Sequence, residues 1–370
     1  MSKSKPRIII SGGGTGGHIF PALSIAGAIR ERVPEAEILF VGAEGRMEME
    51  RVPQAGYEIK GLPVAGLQRK LSLANFALPF KILKSISMAK EIIREFKPDV
   101  AVGVGGYASA PLLWSASGMK IPCLIQEQNS YAGLTNRILS KKADKICVAY
   151  SGMDKFFPAE KIILTGNPIR KEIKPPTEAE RAEGYDFYEL NPNKKTIFVV
   201  GGSLGSGTLN KAMKKWVAEK GANADYQVIW QNGKYYSSDI AEYMKERELS
   251  NVKHFDFIRR MDLAYAVADV VISRAGAGTI SELCVAGKAT IFVPSPNVTE
   301  DHQTHNAMAL VDKEAALMVR DDIAEEILMD TAEELLSDSA RIRKLETNAL
   351  KLGRKGAAEE IAAEVLSLIR

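Results

Sequence analysis

Residues 8–18 read Ile8-Ile9-Ile10-Ser11 and then Gly12-Gly13-Gly14-Thr15-Gly16-Gly17-His18. An apolar β-branched run that ends in a glycine turn and passes into helix-forming sequence opens a parallel βαβ unit. The plan recurs at Ile197-Phe198-Val199-Val200, which leads into GGSLGSG (201–207). Strand candidates in the first half are 7–11, 37–41, 100–104, 123–126 and 145–149. Helical stretches at 21–32, 75–96 and 134–141 alternate with them, and Pro21 is expected in the first turn of its helix, where its missing N–H costs nothing. Gly166-Asn167-Pro168, Lys174-Pro175-Pro176 and the polar run 191–195 then interrupt the pattern. It restarts with strand candidates at 196–200, 227–230, 270–273 and 290–293, and 322–370 is helical in composition. This predicts an α/β chain of two doubly wound, Rossmann-like domains facing each other across a cleft, 1–167 and 168–349. Both glycine turns would line that cleft, because open α/β sheets bind ligands at the carboxyl ends of their strands.

Bulk properties narrow the function. A chain of 370 residues, 46% hydrophobic and 26% charged, can bury two cores. A net charge of +3 is too small to indicate nucleic-acid binding. Cys123, Cys147 and Cys284 form no C-x-x-C pair and sit in apolar stretches, so buried free thiols in a reducing compartment are expected. The basic start, residues 1–7, runs directly into a strand, which is not a signal-peptide pattern. The uncharged stretch 100–119 carries Gly103, Gly105, Gly106, Gly118 and Pro111 and reads as strand, turn and packed helix rather than a membrane span. Any membrane association is therefore expected to be peripheral.

A glycine turn between strand and helix lets main-chain N–H groups approach an anion. Two such turns, with a third at GVGGY (103–107), favour anion binding over tight packing alone. A dinucleotide fits poorly. No acidic residue closes the second strand, which ends Phe40-Val41-Gly42-Ala43-Glu44 with Glu44 already past a glycine, and this speaks against a NAD-linked dehydrogenase.

The motifs GGGTGGH followed by Ile19-Phe20-Pro21-Ala22, GVGGYAS, QEQNSYAGLTNR, TGNPIR, GGSLGS, FDFIRRM, RAGAGTISE and DHQTHNA occur in that order between Arg7 and Asn306 or just beyond. Together they resemble the MurG enzymes, which add N-acetylglucosamine to undecaprenyl-pyrophosphoryl-muramoyl-pentapeptide in peptidoglycan synthesis. The resemblance implies the twin-Rossmann GT-B architecture, with a last helix at about 350–370 returning to the first domain. It also implies UDP-N-acetylglucosamine as donor, an undecaprenyl-linked acceptor, a peripheral position on the cytoplasmic face of the membrane and other cell-wall synthesis proteins as partners. The donor would bind mainly to the second domain and the acceptor to the first. Gln126 departs from the family, many members of which have His there.

His18 closes the first turn at a helix start, a position that disfavours the charged imidazole, and a neutral imidazole can act as general base. Glu127, at a strand's carboxyl end, competes for that role. The resemblance places Asn129, Arg170, Ser203, Gln303, the Ile258 main chain, Thr15, Gly16, Gly17, Ala277, Gly278 and Thr279 on the sugar nucleotide. It places Gly13, Gly14, Gly105, Gly106 and Tyr107 on the acceptor pyrophosphate. Thr279-Ile280-Ser281-Glu282 reads as a capping box, whereas the resemblance gives Glu282 the ribose hydroxyls. His302 and His305 stand one turn apart but lack a third local ligand, and no Asp-x-Asp pair occurs, so no metal or other cofactor is expected. The stretch 75–96 sets Phe76, Phe80, Ile82 and Leu83 beside Lys70, Lys81, Lys84 and Lys90, which reads either as a core helix or, with Trp114, as a membrane face. A glycolipid synthase, a UDP-N-acetylglucosamine 2-epimerase and a silent UDP-sugar-binding module are the rival readings.

Overall fold

The computed structural model describes residues 5–64, 78–247 and 249–369. The chain divides into two compact units: Met1–Ile169 together with Lys355–Arg370, and Arg170–Arg354.

In the first unit seven parallel strands form one sheet. They are β1 (Arg7–Ser11), β2 (Glu37–Ala43), β3 (Glu58–Leu62), β4 (Val100–Gly103), β5 (Cys123–Glu127), β6 (Lys145–Val148) and β7 (Ile162–Leu164), in the order β3-β2-β1-β4-β5-β6-β7. β1 is an inner strand, with Ile8 paired to Ile38 on one side and Val100 on the other. The winding reverses there, so the ends of β1 and β4 form the switch point at which such sheets bind ligands. α1 (Gly16–Arg32), α2 (Glu48–Gln54), α3 (Leu78–Phe96), α4 (Ser109–Gly118) and α5 (Leu134–Leu139) connect the strands. Side chains alternate along β1: Ile8 and Ile10 pack with Ile25 and Ile29 of α1, while Ile9 faces the opposite core with Ile93 and Leu112. α1 begins five residues before the expected start, so Pro21 is inside the helix rather than in its first turn. Its ring removes the amide that would bond the Gly17 carbonyl.

The second unit repeats the order with β8 (Thr196–Val200), β9 (Gln227–Gln231), β10 (Val252–Phe255), β11 (Val270–Ser273), β12 (Thr290–Phe292) and β13 (Leu317–Met318), arranged β10-β9-β8-β11-β12-β13. Its helices are α6 (Glu178–Phe187), α7 (Gly207–Glu219), α8 (Ser237–Lys245), α9 (Met261–Val267), α10 (Ala277–Ala286), α11 (His302–Val311), α12 (Ala324–Ser337) and α13 (Ser339–Leu352). The switch point falls between β8 and β11, at GGSLGSG and the RAGAG turn.

The chain then returns to the first unit as α14 (Ala357–Ser367), whose Ile361, Ala362 and Val365 join the core beside Ile25 and Ile29. Among the described residues no helix is long and apolar enough to cross a membrane. The uncharged stretch 100–119 resolves into β4, a glycine turn and α4.

Candidate functional site

At the switch point of the first unit the two glycine turns interlock. The Gly13 N–H donates to the Gly105 carbonyl at 3.3 Å. Gly106 has φ +90°, and a Cβ there would lie 2.3 Å from the Gly13 carbonyl oxygen. Gly105 has φ +98°, and its Cβ would lie 2.7 Å from His18 Nδ1. Side chains at either position would separate the turns, so these glycines are required by contact as well as by conformation. Glu48, which no sequence pattern singled out, is buried beneath the first turn. Its Oε2 accepts from the Gly14 N–H at 2.9 Å and its Oε1 from the Ala43 N–H at 3.0 Å. The Gly13 and Gly14 amides, expected on the acceptor pyrophosphate, are both engaged inside the fold in this structure. The amides that a helix start leaves without an intrahelical acceptor are those of Gly16 and Gly17. Thr15, the N-cap of α1, makes no side-chain cap. Tyr107 is exposed beyond the second turn.

His18 sits on the first turn of α1, with its Nδ1 3.0 Å from Gln128 Oε1. Side chains alternate at the end of β5, so Gln126 and Gln128 share one side and Glu127 takes the other. Gln128 Nε2 donates to the Val104 carbonyl at 2.7 Å and to the Gln126 side-chain carbonyl. Gln126 Nε2 donates to Asn167 Oδ1 at 3.0 Å, and Asn167 Nδ2 donates to the Gln128 carbonyl at 2.9 Å. All three amides are buried.

Glu127 is only 2% exposed. Its Oε1 accepts from the Asn129 N–H at 3.0 Å and from Asn129 Nδ2 at 3.1 Å. Its Oε2 accepts from the Gly133 N–H at 3.1 Å and from Asn136 Nδ2 at 2.9 Å. Four donors saturate the carboxylate and tie the loop after β5 to α5. A base occupied in this way must give up a hydrogen bond to take a proton. These bonds hold Glu127 and the loop that carries Asn129 in place.

In the second unit Ser203 and Leu204 are exposed on the turn after β8. Gly205 at φ +88° passes so close to Asn232 that a Cβ would meet its carbonyl oxygen at 2.1 Å. The N-cap of α7 is Ser206, whose hydroxyl accepts from the Leu209 N–H. α10 starts differently: its N-cap is Gly276, with extended backbone and no side-chain cap. Thr279 is thus the third residue of α10 and Glu282 the sixth, so the capping-box reading of Glu282 is wrong. The box present is Thr177 with Glu180 at the start of α6, where both reciprocal bonds form. Glu282 is instead buried, with Oε1 3.3 Å from Arg170 Nε and Oε2 accepting from the Tyr265 hydroxyl at 3.3 Å. Burial raises its pKa above 4.5, while the Arg170 charge and the Tyr265 hydroxyl pull it down. A carboxylate held here presents a paired acceptor to vicinal hydroxyls. Gln303 accepts from the Ser295 N–H at 2.9 Å through Oε1, which leaves its Nε2 as the side that can donate to a ligand. Ile258 is buried in the segment between β10 and α9. Gln231 Oε1 and Asn232 Oδ1 are buried near the second turn with no hydrogen-bond partner among the described residues.

Among the described residues no three His, Cys, Asp or Glu side chains converge as a metal site. The three cysteines are free and buried, and burial pushes each thiol up to about 12, so none is poised to react as a thiolate. Phe80 and Leu83, on the first turns of α3, are 76% and 65% exposed, and Ile82 and Trp114 are exposed as well. The core-helix reading thus holds only for the later turns, where Ala89, Ile92 and Ile93 are buried. Phe76 and Lys70 lie outside the described residues.

Comparison with known proteins agrees with this geometry. The glycosyltransferase family 28 N-terminal domain matches residues 8–148, and the C-terminal domain of the same family matches 196–364. A Parabacteroides distasonis protein is 54% identical over 99% of both chains. A Phocaeicola vulgatus protein is 56% identical over 98% of this chain and 96% of its own. Both carry the name UDP-N-acetylglucosamine–N-acetylmuramyl-(pentapeptide) pyrophosphoryl-undecaprenol N-acetylglucosamine transferase. The crystal structure of Acinetobacter baumannii MurG superposes with a TM-score of 0.79 at 27% identity, covering 98% of this chain and 99% of that one. With both family domains matched and relatives this similar along their full length, the chain belongs to glycosyltransferase family 28, in its MurG branch.

Proposed function

We infer that the protein transfers N-acetylglucosamine from UDP-N-acetylglucosamine to the C4 hydroxyl of undecaprenyl-pyrophosphoryl-N-acetylmuramoyl-pentapeptide, converting lipid I to lipid II in peptidoglycan synthesis. The observation that carries this is the 54% identity, end to end, to transferases named for that reaction. A glycolipid synthase or a 2-epimerase is not favoured by such relatives.

The reaction is read as one inverting displacement. His18 takes the proton from the acceptor hydroxyl as its oxygen bonds to C1 of the sugar. The bond from C1 to the phosphate oxygen breaks, and UDP leaves with the electron pair. In the second unit, Glu282 would accept from the ribose hydroxyls and the Ile258 main chain would read uracil. Arg170, now against Glu282, would turn toward the nucleotide, and Gln303 Nε2 would donate to the sugar. The start of α10, at Ala277, Gly278 and Thr279, has no side-chain cap and is the stronger candidate for the leaving diphosphate; Ser203 would contribute from the neighbouring turn. In the first unit Asn129, Thr15, Gly16 and Gly17 would meet the transferred sugar, and Gly105, Gly106 and Tyr107 the acceptor. No metal is assigned a role.

A polyprenyl-linked acceptor stays in its bilayer, so the enzyme must work at a membrane surface. Phe80, Ile82 and Leu83, exposed beside Lys81 and Lys84, supply an apolar group with positive charge, and α4 with Trp114 packs beside α3 through Ser115. A peripheral position on the cytoplasmic face follows from this reading. Radiolabelled UDP-N-acetylglucosamine with lipid I as acceptor tests the assignment. Label is expected in a lipid-linked disaccharide, with turnover unchanged by excess EDTA. Conversion of the donor to UDP-N-acetylmannosamine would point to epimerisation, and loss of turnover in EDTA would require a metal.

A further inference from the structure

The hydrogen-bond donors and acceptors around His18 determine which imidazole nitrogen carries the proton. The Val104 main-chain carbonyl can only accept, and it lies 2.7 Å from one terminal atom of the Gln128 side chain. The Gln126 main-chain carbonyl, also acceptor-only, lies 3.3 Å from the same atom. That atom must be the nitrogen, because an oxygen there would face two carbonyl oxygens without a proton between them. The other atom, 3.0 Å from His18 Nδ1, is then the oxygen. An oxygen acceptor requires Nδ1 to be the protonated nitrogen.

We propose that Gln128 is a positioning residue that locks His18 in the Nδ1–H tautomer, leaving the lone pair on Nε2, with Gln126 and Asn167 holding Gln128 in register. The chain of amides admits one arrangement. Gln128 Nε2 donates to the Gln126 side-chain oxygen, which turns Gln126 Nε2 toward Asn167 Oδ1. Asn167 Nδ2 then donates to the Gln128 main-chain carbonyl. Reversing one amide would set donor against donor or acceptor against acceptor at the next, and at 0–2% exposure solvent is poorly placed to compensate. Gly105 packs closely against the same ring, since a Cβ there would sit 2.7 Å from Nδ1. This explains Gln126 in a new way: its side-chain oxygen, an acceptor facing Gln128, sets the orientation of the next amide.

The proposal deepens the reading of His18 as general base and rests on it only for its kinetic consequence. Nitrogen-15 NMR of histidine-labelled protein tests the tautomer directly. The chain has four histidines, and the His18 signals are assigned by their loss in His18→Gln. At a pH where the ring is neutral, Nδ1 is expected to carry the proton and Nε2 to resonate as the unprotonated nitrogen; the reverse would overturn the proposal. In Gln128→Met both tautomers should appear. Turnover should then fall about 10–100-fold, the scale seen when the partner orienting a histidine is removed. KM for UDP-N-acetylglucosamine should stay unchanged, since the donor residues are untouched. Native kcat with an unmixed tautomer in folded Gln128→Met would refute the role. Should that variant fail to fold, the wild-type spectrum and Gln126→Met, expected to shift kcat the same way by less, still decide. Near-native turnover in His18→Ala would sink the base reading alone, because the spectrum reads the tautomer without turnover.

Discussion

His18 and Glu127 belong to the same edge of one sheet, yet their surroundings suit different work. The imidazole meets the Gln128 side-chain amide at Nδ1, whereas the carboxylate is consumed by four donors. His18→Ala is expected to lower kcat by about 10²–10⁴-fold with donor affinity nearly intact, the range for a general base. Glu127→Gln sets an NH₂ group against existing N–H donors and should cost about 1–3 kcal/mol of stability. Turnover and thermal melts of both variants decide: full turnover in His18→Ala with none in folded Glu127→Gln would pass the role to Glu127. Glu282 offers a test with a sign. Its folded pKa is raised above 4.5, mainly by burial, so the folded state holds the proton more tightly than the unfolded chain. Its contribution to stability is therefore fully present below the ordinary value and is lost as pH rises through the raised one. UDP binding, which needs the ionised form, should move oppositely and weaken as pH falls through the same window. Calorimetric titration of UDP across that window should show the loss in wild type and a flat, weaker affinity in Glu282→Gln. A Glu282→Gln variant that binds UDP like wild type would remove Glu282 from the site.

At the level of elements, the readability of the sequence follows burial. Every inner strand of both sheets carries a continuous apolar run and is visible in the sequence. The four sheet edges are less legible: β3 and β10 interrupt the run with charged or polar residues, and β7 and β13 are apolar but only three and two residues long. An edge strand has a neighbour on one side only, so Glu58 and Lys60 in β3 or Lys253 and His254 in β10 are tolerated. Glycine turns are also legible, but not what their amides do. Glu48 approaches Gly14 from 34 residues away, a pairing that no local pattern encodes. The alternation Gln126-Glu127-Gln128 did hold a usable signal, because it places the two amides on one side and the acid on the other. The T-x-x-E pattern forms a capping box at Thr177 and not at Thr279, since the start of α10 at Gly276 depends on backbone geometry. The interlocked turns make Gly105 a sharp probe. Gly105→Ala imposes φ +98° on a residue with a Cβ and presses on His18, so about 1–3 kcal/mol of stability should go together with most of the turnover. Gly118→Ala, at the end of α4 with open space around its Cβ, is the control and should be neutral or slightly stabilising. Equal activity in the two variants would mean that the turns are not tightly coupled to His18.

At the scale of the molecule, the acceptor's lipid tail raises the question of how a chain with no apolar spanning helix among its described residues reaches it. α3 answers in its first turns: Phe80, Lys81, Ile82, Leu83 and Lys84 are all exposed, and the buried face begins at Ser85. Apolar side chains entering the headgroup region gain burial there, and adjacent lysines gain about 1 kcal/mol each near an anionic surface. Vesicle binding should therefore require anionic headgroups and weaken as salt rises, since screening shortens the reach of the lysines. Phe80→Ser with Leu83→Ser should release the protein from vesicles. Because both side chains are already in solvent, the melting transition should stay within about ±0.5 kcal/mol of wild type. UDP affinity should be unaltered, as the residues assigned to the nucleotide lie in the second unit. The same variant should lose turnover on lipid I in vesicles but keep it on a water-soluble acceptor analogue with a short chain. Co-sedimentation with vesicles, a thermal melt and the two acceptor assays, run side by side, separate the possibilities. Undiminished sedimentation in the double variant would remove this face from membrane docking, and equal losses on both acceptors would place the two residues in catalysis instead.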